Sequence, residues 1–109
     1  MLDIKDNFIE QAKSHGEANE NGNHKLANKL HSKLTVLYQK IQNEGKWDVL
    51  YELINYPNES VQLWSATFLL KNDKKNALDI LNNLKRSEKI IGLTASSIID
   101  KWNEGMLQL

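Results

Sequence analysis

A chain of 109 residues with 40% apolar side chains is long enough to bury one continuous core and short enough to form one domain. Fourteen basic and fourteen acidic side chains leave a formal net charge of 0, which argues against the Lys/Arg excess of a duplex-binding or membrane-surface protein, and Arg86 is the single arginine. The absence of cysteine excludes disulfides, thiolate nucleophiles and Cys-ligated zinc, so packing alone must hold the fold.

Helical spacing recurs almost everywhere. Asp3 is a capping residue, and Ile4, Phe8 and Ala12, with Ile9 beside them, predict a first helix with one apolar stripe and a polar face carrying Asp6, Glu10 and Glu17. Leu26, Leu30, Leu34, Leu37 and Ile41 predict a second helix from about Asn23 to Glu44, stopped by Gly45. Trp47, Leu50, Leu53 and Ile54 give a short third helix that ends before Pro57, which disfavours helical geometry at Tyr56. Asn58 caps a fourth, Val61 to Leu70, that is apolar on more than half its circumference and must lie between two neighbours. Ala77, Leu78, Leu81 and Leu84 mark a fifth. Ile90, Ile91, Ala95, Ile98, Ile99 and Trp102 mark a sixth, ending at Gly105.

A shift of about 28 to 29 residues lays the third and fourth helices over the fifth and sixth. Leu50 then falls on Leu78, Leu53 on Leu81, Ala66 on Ala95 and Leu69 on Ile98. One-sided helices alternating with helices apolar nearly all round are what stacked pairs need. The fold class read from this is all-α: about six helices in antiparallel hairpins forming a short HEAT-like α–α superhelix. It is a single domain over 1–109, with a capping hairpin at 1–45 and repeat-like pairs at 46–71 and 73–105.

The segment from Pro57 to Leu70, Pro-Asn-Glu-Ser-Val-Gln-Leu-Trp-Ser-Ala-Thr-Phe-Leu-Leu, resembles the central motif of the DUF2019 family of small bacterial helical domains. Gly16, Asn19, Gly22, Asn23, Asn28 and Lys29 are similar to that family's N-terminal run, and Ala77, Leu81, Ala95 and Trp102 fall where it places later helices. Gln62 stands where the family usually has arginine, and Tyr56 where it commonly has histidine. The resemblance implies a HEAT-like fold without established catalysis, with some members found in toxin and immunity gene neighbourhoods.

Sites for chemistry are few. His24 and His31 lie about 10.5 Å apart along one helix, too far for joint ligation, and no His-x-x-x-His or Glu-x-x-His spacing brings in a second ligand. His15, His24 and His31 are therefore read as surface histidines, with no metal and no cofactor. Ser65, Thr67, Thr94, Ser96 and Ser97 lack both a neighbouring base and a nucleophile elbow, and are read as small packing residues. Gly16 and Gly92 are read as points of close helix approach. Trp64 belongs to the core, whereas Trp47 and Trp102 border turns or ends and are half exposed.

Two surfaces remain. Asp6, Glu10, Glu17 and Glu20 make an acidic face suited to a basic partner. Lys71, Lys74 and Lys75 in one turn, with Lys85, Arg86 and Lys89 in the next, would form a basic edge if the turns stack, the best case for a weak nucleic-acid contact. The start, Met1-Leu-Asp-Ile-Lys-Asp, opens no apolar leader core, and no apolar run reaches the roughly 20 residues that span a bilayer. The sequence thus predicts a cytoplasmic, non-catalytic protein-binding domain, a monomer or weak homodimer. Its most concrete form is an immunity protein that neutralises a cognate bacterial toxin, and the alternatives are a general adaptor or regulatory protein and a weak nucleic-acid binder.

Overall fold

Four helices start on a side chain that accepts one of their free amides. Asp3 Oδ1 accepts from the Asp6 N–H at 2.8 Å, Asn23 Oδ1 from Leu26 at 3.2 Å, Asn58 Oδ1 from Val61 at 3.1 Å and Asp73 Oδ1 from Asn76 at 3.2 Å. Each such cap stabilises its helix by about 1 kcal/mol. In the computed structural model, which describes residues 3–109, these caps open α1 (Ile4–Glu20), α2 (His24–Glu44), α4 (Glu59–Leu69) and α5 (Lys74–Lys85). α3 (Trp47–Leu53) and α6 (Ile90–Asn103) begin at Lys46 and Lys89 without a side-chain cap. Met1 and Leu2, the first residues of the start read above for a leader, lie outside the described residues.

Glycine ends three helices. Gly22, Gly45 and Gly105 adopt left-handed backbone at φ 69°, 66° and 72°. The amides behind them, Asn23, Lys46 and Met106, reach back to the carbonyls of Ala18, Ile41 and Lys101 at 2.8, 3.0 and 2.8 Å. A residue with a Cβ resists that conformation, so glycine fixes where each helix stops.

The fold is all-α, with six helices and no strand among the described residues. The helices pair in sequence as hairpins, and α4 and α6, the second helices of the two repeat-like pairs, pack side by side. α4 has more neighbours than the two predicted: it packs against α1, α3, α5 and α6, and meets α2 through the Tyr38–Phe68 stack at 4.5 Å and the His31–Trp64 contact at 5.1 Å. Every residue from Leu63 to Leu70 is buried as a result, which accounts for the missing polar stripe.

One apolar core draws residues from all six helices, with Phe8, Tyr38, Leu50, Phe68, Leu81 and Ala95 among them. A second, small cluster of Ala18, Ala27 and Leu30 closes the far end of the first hairpin. The radius of gyration is 12.8 Å, as for a single compact domain of this length, about 13 Å. None of the helices described is long and apolar enough to cross a membrane.

Gly16 allows the close helix approach predicted, since a Cβ there would strike the Ser60 side chain at the start of α4, whereas Gly92 makes room for the turn before its own helix, where a Cβ would strike the Ser87 carbonyl. Leu26 departs from its predicted stripe, being 41% exposed. It lies about 80° around the helix from Leu34, beyond the arc that α1 and α4 cover.

Candidate functional site

The second helices of the three hairpins, α2, α4 and α6, share one face, and the C-terminal tail borders it. A groove of about 680 Å³ runs there, within the usual size of small-molecule sites, about 300–1,000 Å³. His31 comes from α2, Trp64 and Thr67 from α4, Leu93, Thr94, Ser97, Ile98, Lys101 and Glu104 from α6 and its C-cap, and Leu107 and Leu109 from the tail. The tail is held because Leu107 and Leu109 pack against the main core. Leu93 is 74% exposed and Met106 67%, so large apolar surface faces solvent along the rim.

Trp64 is the centre of an aromatic cluster. His15 meets its ring edge-on at 4.9 Å, His31 lies tilted at 5.1 Å and Phe68 at 5.9 Å. The first hairpin thus sends one histidine from each of its helices to the same tryptophan of α4. Trp64 Nε1 is out of reach of water and has no hydrogen-bond acceptor among the described residues.

His15 is buried, contrary to its reading as a surface histidine, because its position falls on the α1 face that meets α4. Burial disfavours its charged form, and the nearby His31 adds repulsion, so its pKa is lowered to about 4. His31 is exposed as a residue, but its ring is partly desolvated and its pKa is also lowered. Both are neutral near pH 7. His24 is exposed and belongs to neither contact.

His15 also lines a smaller cleft, of about 110 Å³, with Gly16, Asn19 and Glu20 of α1, the first turn of α4 and the first turns of α6. Thr94 lines both cavities. No group of three or more His, Cys, Asp or Glu side chains among the described residues is placed to hold a metal ion.

Asp6, Glu10, Glu17 and Glu20 are all exposed on α1. They fall within about 80° of arc on the face opposite Phe8 and His15. Lys13, also exposed, lies in the middle of that arc, so the face is a broken acidic stripe rather than a uniform one. Of the four, Glu20 lines the smaller cleft.

The basic turns do not join. Lys71 lies just before α5 and Lys74 and Lys75 in its first turn, whereas Lys85 is its last residue and Arg86 and Lys89 follow it. The two groups are separated by about 16 Å of helix. The single basic edge predicted from stacked turns is therefore replaced by two separate patches, because one turn joins the repeat pairs and the other lies inside the second pair. Asp73, within the first patch, accepts a hydrogen bond from the Tyr51 hydroxyl at 2.8 Å. That bond holds the Asp73 carboxyl below its ordinary pKa and raises the Tyr51 phenol.

Among the hydroxyls, Ser65 and Thr67 are buried and donate to the carbonyls of Val61 and Leu63 of their own helix, as packing residues do. Ser97 is exposed and lines the groove, so its reading as a packing residue is corrected. Trp47 and Trp102 are half-buried.

The groove escaped sequence reasoning because its walls come from three helices and a tail. One signal was present: Leu93 lies outside the apolar stripe of its helix, about 160° around from Ala95. No protein-family model, no curated protein and no solved structure matches this chain.

Proposed function

We propose that this chain is a non-catalytic binding domain that takes a protein partner across the groove of α2, α4 and α6. The observation that carries this reading is the juxtaposition of exposed Leu93 and Met106 with Trp64 and Ile98 beneath them. A rim of accessible apolar side chains over an aromatic floor supplies the buried anchor contacts that dominate protein interfaces. The broken acidic stripe of α1 is a second surface, suited to steering a basic partner.

The concrete form of the proposal is an immunity protein in the bacterial cytoplasm that covers a toxin's active site. Its support is the resemblance of residues 57–70 to the DUF2019 motif. A general adaptor would use the same groove. A nucleic-acid role loses its geometric basis with the separation of the two lysine turns, and would show itself by steep loss of affinity with added salt.

The test is a pull-down of the tagged chain against the products of adjacent genes, repeated with Leu93→Asp and with Glu17→Lys/Glu20→Lys. Capture of one stoichiometric toxic protein, lost in Leu93→Asp, supports the immunity form through the groove. Loss only in the double charge reversal moves the site to α1. Retention in both variants overturns both surfaces, and capture of several housekeeping proteins through Leu93 favours the adaptor.

A further inference from the structure

Trp64, one of the residues that line the groove, carries a hydrogen-bond donor that the fold itself does not use. Trp64 is 7% exposed, and its Nε1–H finds no acceptor among the described residues. Burying such a group without a partner is costly, so an incoming acceptor gains a full bond there at little loss of hydration. Among the groove's described lining residues Lys101, in the last turn of α6, is the one lysine or arginine, and it makes no ion pair among the described residues. Glu104 lies almost one turn beyond it, toward the tail. The rest of the lining offers apolar length: Ile98, Leu107 and Leu109 on the inside, with Leu93 and Met106 on the rim.

We propose that the groove binds a small amphipathic carboxylate, an acyl or aryl chain with one anionic head. The head accepts from Trp64 Nε1 and pairs with Lys101, and the chain lies along Ile98, Leu107 and Leu109. His31 is the side chain that yields to admit it. It is exposed, its ring makes no hydrogen bond among the described residues, and it rests against the indole at 5.1 Å. His15 and Phe68, the other rings on Trp64, are buried and fixed by packing. A cationic amphiphile could pair with Glu104, but it would be repelled by Lys101 and would leave the Trp64 Nε1–H without an acceptor. The site shares the groove with the proposed protein partner but does not depend on one.

Decanoate is the probe, titrated into the full chain below its micelle concentration, with decylamine and decanol as controls. Binding is read by calorimetry and by the indole N–H resonance of Trp64. The expected result is one site for decanoate, a downfield shift of that resonance, and affinity at least about tenfold weaker for both controls. Lys101→Gln, an exposed position that leaves the core intact, weakens decanoate about tenfold and leaves decanol unchanged. Trp64→Phe keeps an aromatic ring and loses the donor, with a similar loss of affinity. Equal affinity for the three probes, an unmoved indole resonance, or full binding to Lys101→Gln overturns the proposal. Absence of decanoate binding overturns it as well, while the pull-down decides the protein-binding reading separately.

Discussion

Burial gives His15 a marked pH dependence. The unfolded chain protonates it near its ordinary value of 6.5 and the folded chain only at about 4. The unfolded state therefore holds more protons between those values. Stability is full above about pH 6.5, falls as the pH drops through that window, and levels off below about 4, a loss of about 3 kcal/mol. His31, also lowered, acts with the same sign. Glu20 of α1 and Glu59 of α4 line the cleft beside His15, and His31 faces it from α2. His15→Gln removes the titration and keeps a polar side chain of similar reach. Urea unfolding midpoints measured from pH 7 to 4.5 should fall steeply in the parent chain and much less in the variant. An unchanged slope would mean that carboxylates, not His15, govern acid stability. Gln62 Nε2 donates to the backbone carbonyl of Tyr56 at 2.6 Å, tying α4 to the turn before it.

At the scale of the helices, the two close approaches differ in what they touch. A Cβ on Gly92 would run into the Ser87 carbonyl and, behind it, the Lys85 carbonyl, both backbone. A Cβ on Gly16 would run into a serine side chain, whose hydroxyl can rotate although its Cβ cannot. Alanine gains about 1 kcal/mol of helix propensity at either site, against about 1–3 kcal/mol for overpacking. Gly92→Ala is expected to destabilise by about 2 kcal/mol or more, and Gly16→Ala by less. Removing the Ser60 side chain in Gly16→Ala/Ser60→Gly should recover part of the Gly16 loss. Thermal melts of the four chains check the ranking, and an equal effect of the two alanines would show that the turn before α6 yields.

Caps and stops were legible from sequence because Asp3, Asn58, Gly45 and Gly105 act within one turn of themselves. The helical periods were legible for the same local reason, and of the positions overlaid by the shift of about 28 to 29 residues, Leu53 with Leu81 and Ala66 with Ala95 are equally buried. Leu78 is half-buried where its counterpart Leu50 is fully buried, so the two pairs are not equivalent. The His15–Trp64–His31 cluster and the groove were not legible. Each depends on how far α1 and α2 reach over α4, which no helical period specifies.

The whole molecule combines one shared core with one weakly anchored end. A strict solenoid, in which each pair touches only its neighbours, would unfold from its ends. Here Phe68 touches Phe8 of α1 and Tyr38 of α2, and the main core includes residues of every helix. Unfolding of the core should therefore be a single transition, with circular dichroism and tryptophan fluorescence coinciding. The far end of the first hairpin is different: past His15, its inward face is the small cluster of Ala18, Ala27 and Leu30, with Asn21, Gly22 and Asn23 exposed at the turn. Two alanines and one leucine bury little area at about 25 cal/mol per Å². That end should open without the rest. Native-state hydrogen exchange should give the amides near residues 18–30 a lower opening free energy than those of 63–70, with little dependence on denaturant. Lowering the pH through His15's window should lower the protection of the hairpin end first, because His15 and His31 are the links between it and Trp64. Uniform protection across both segments would mean that the hairpin and the core open together, as one unit.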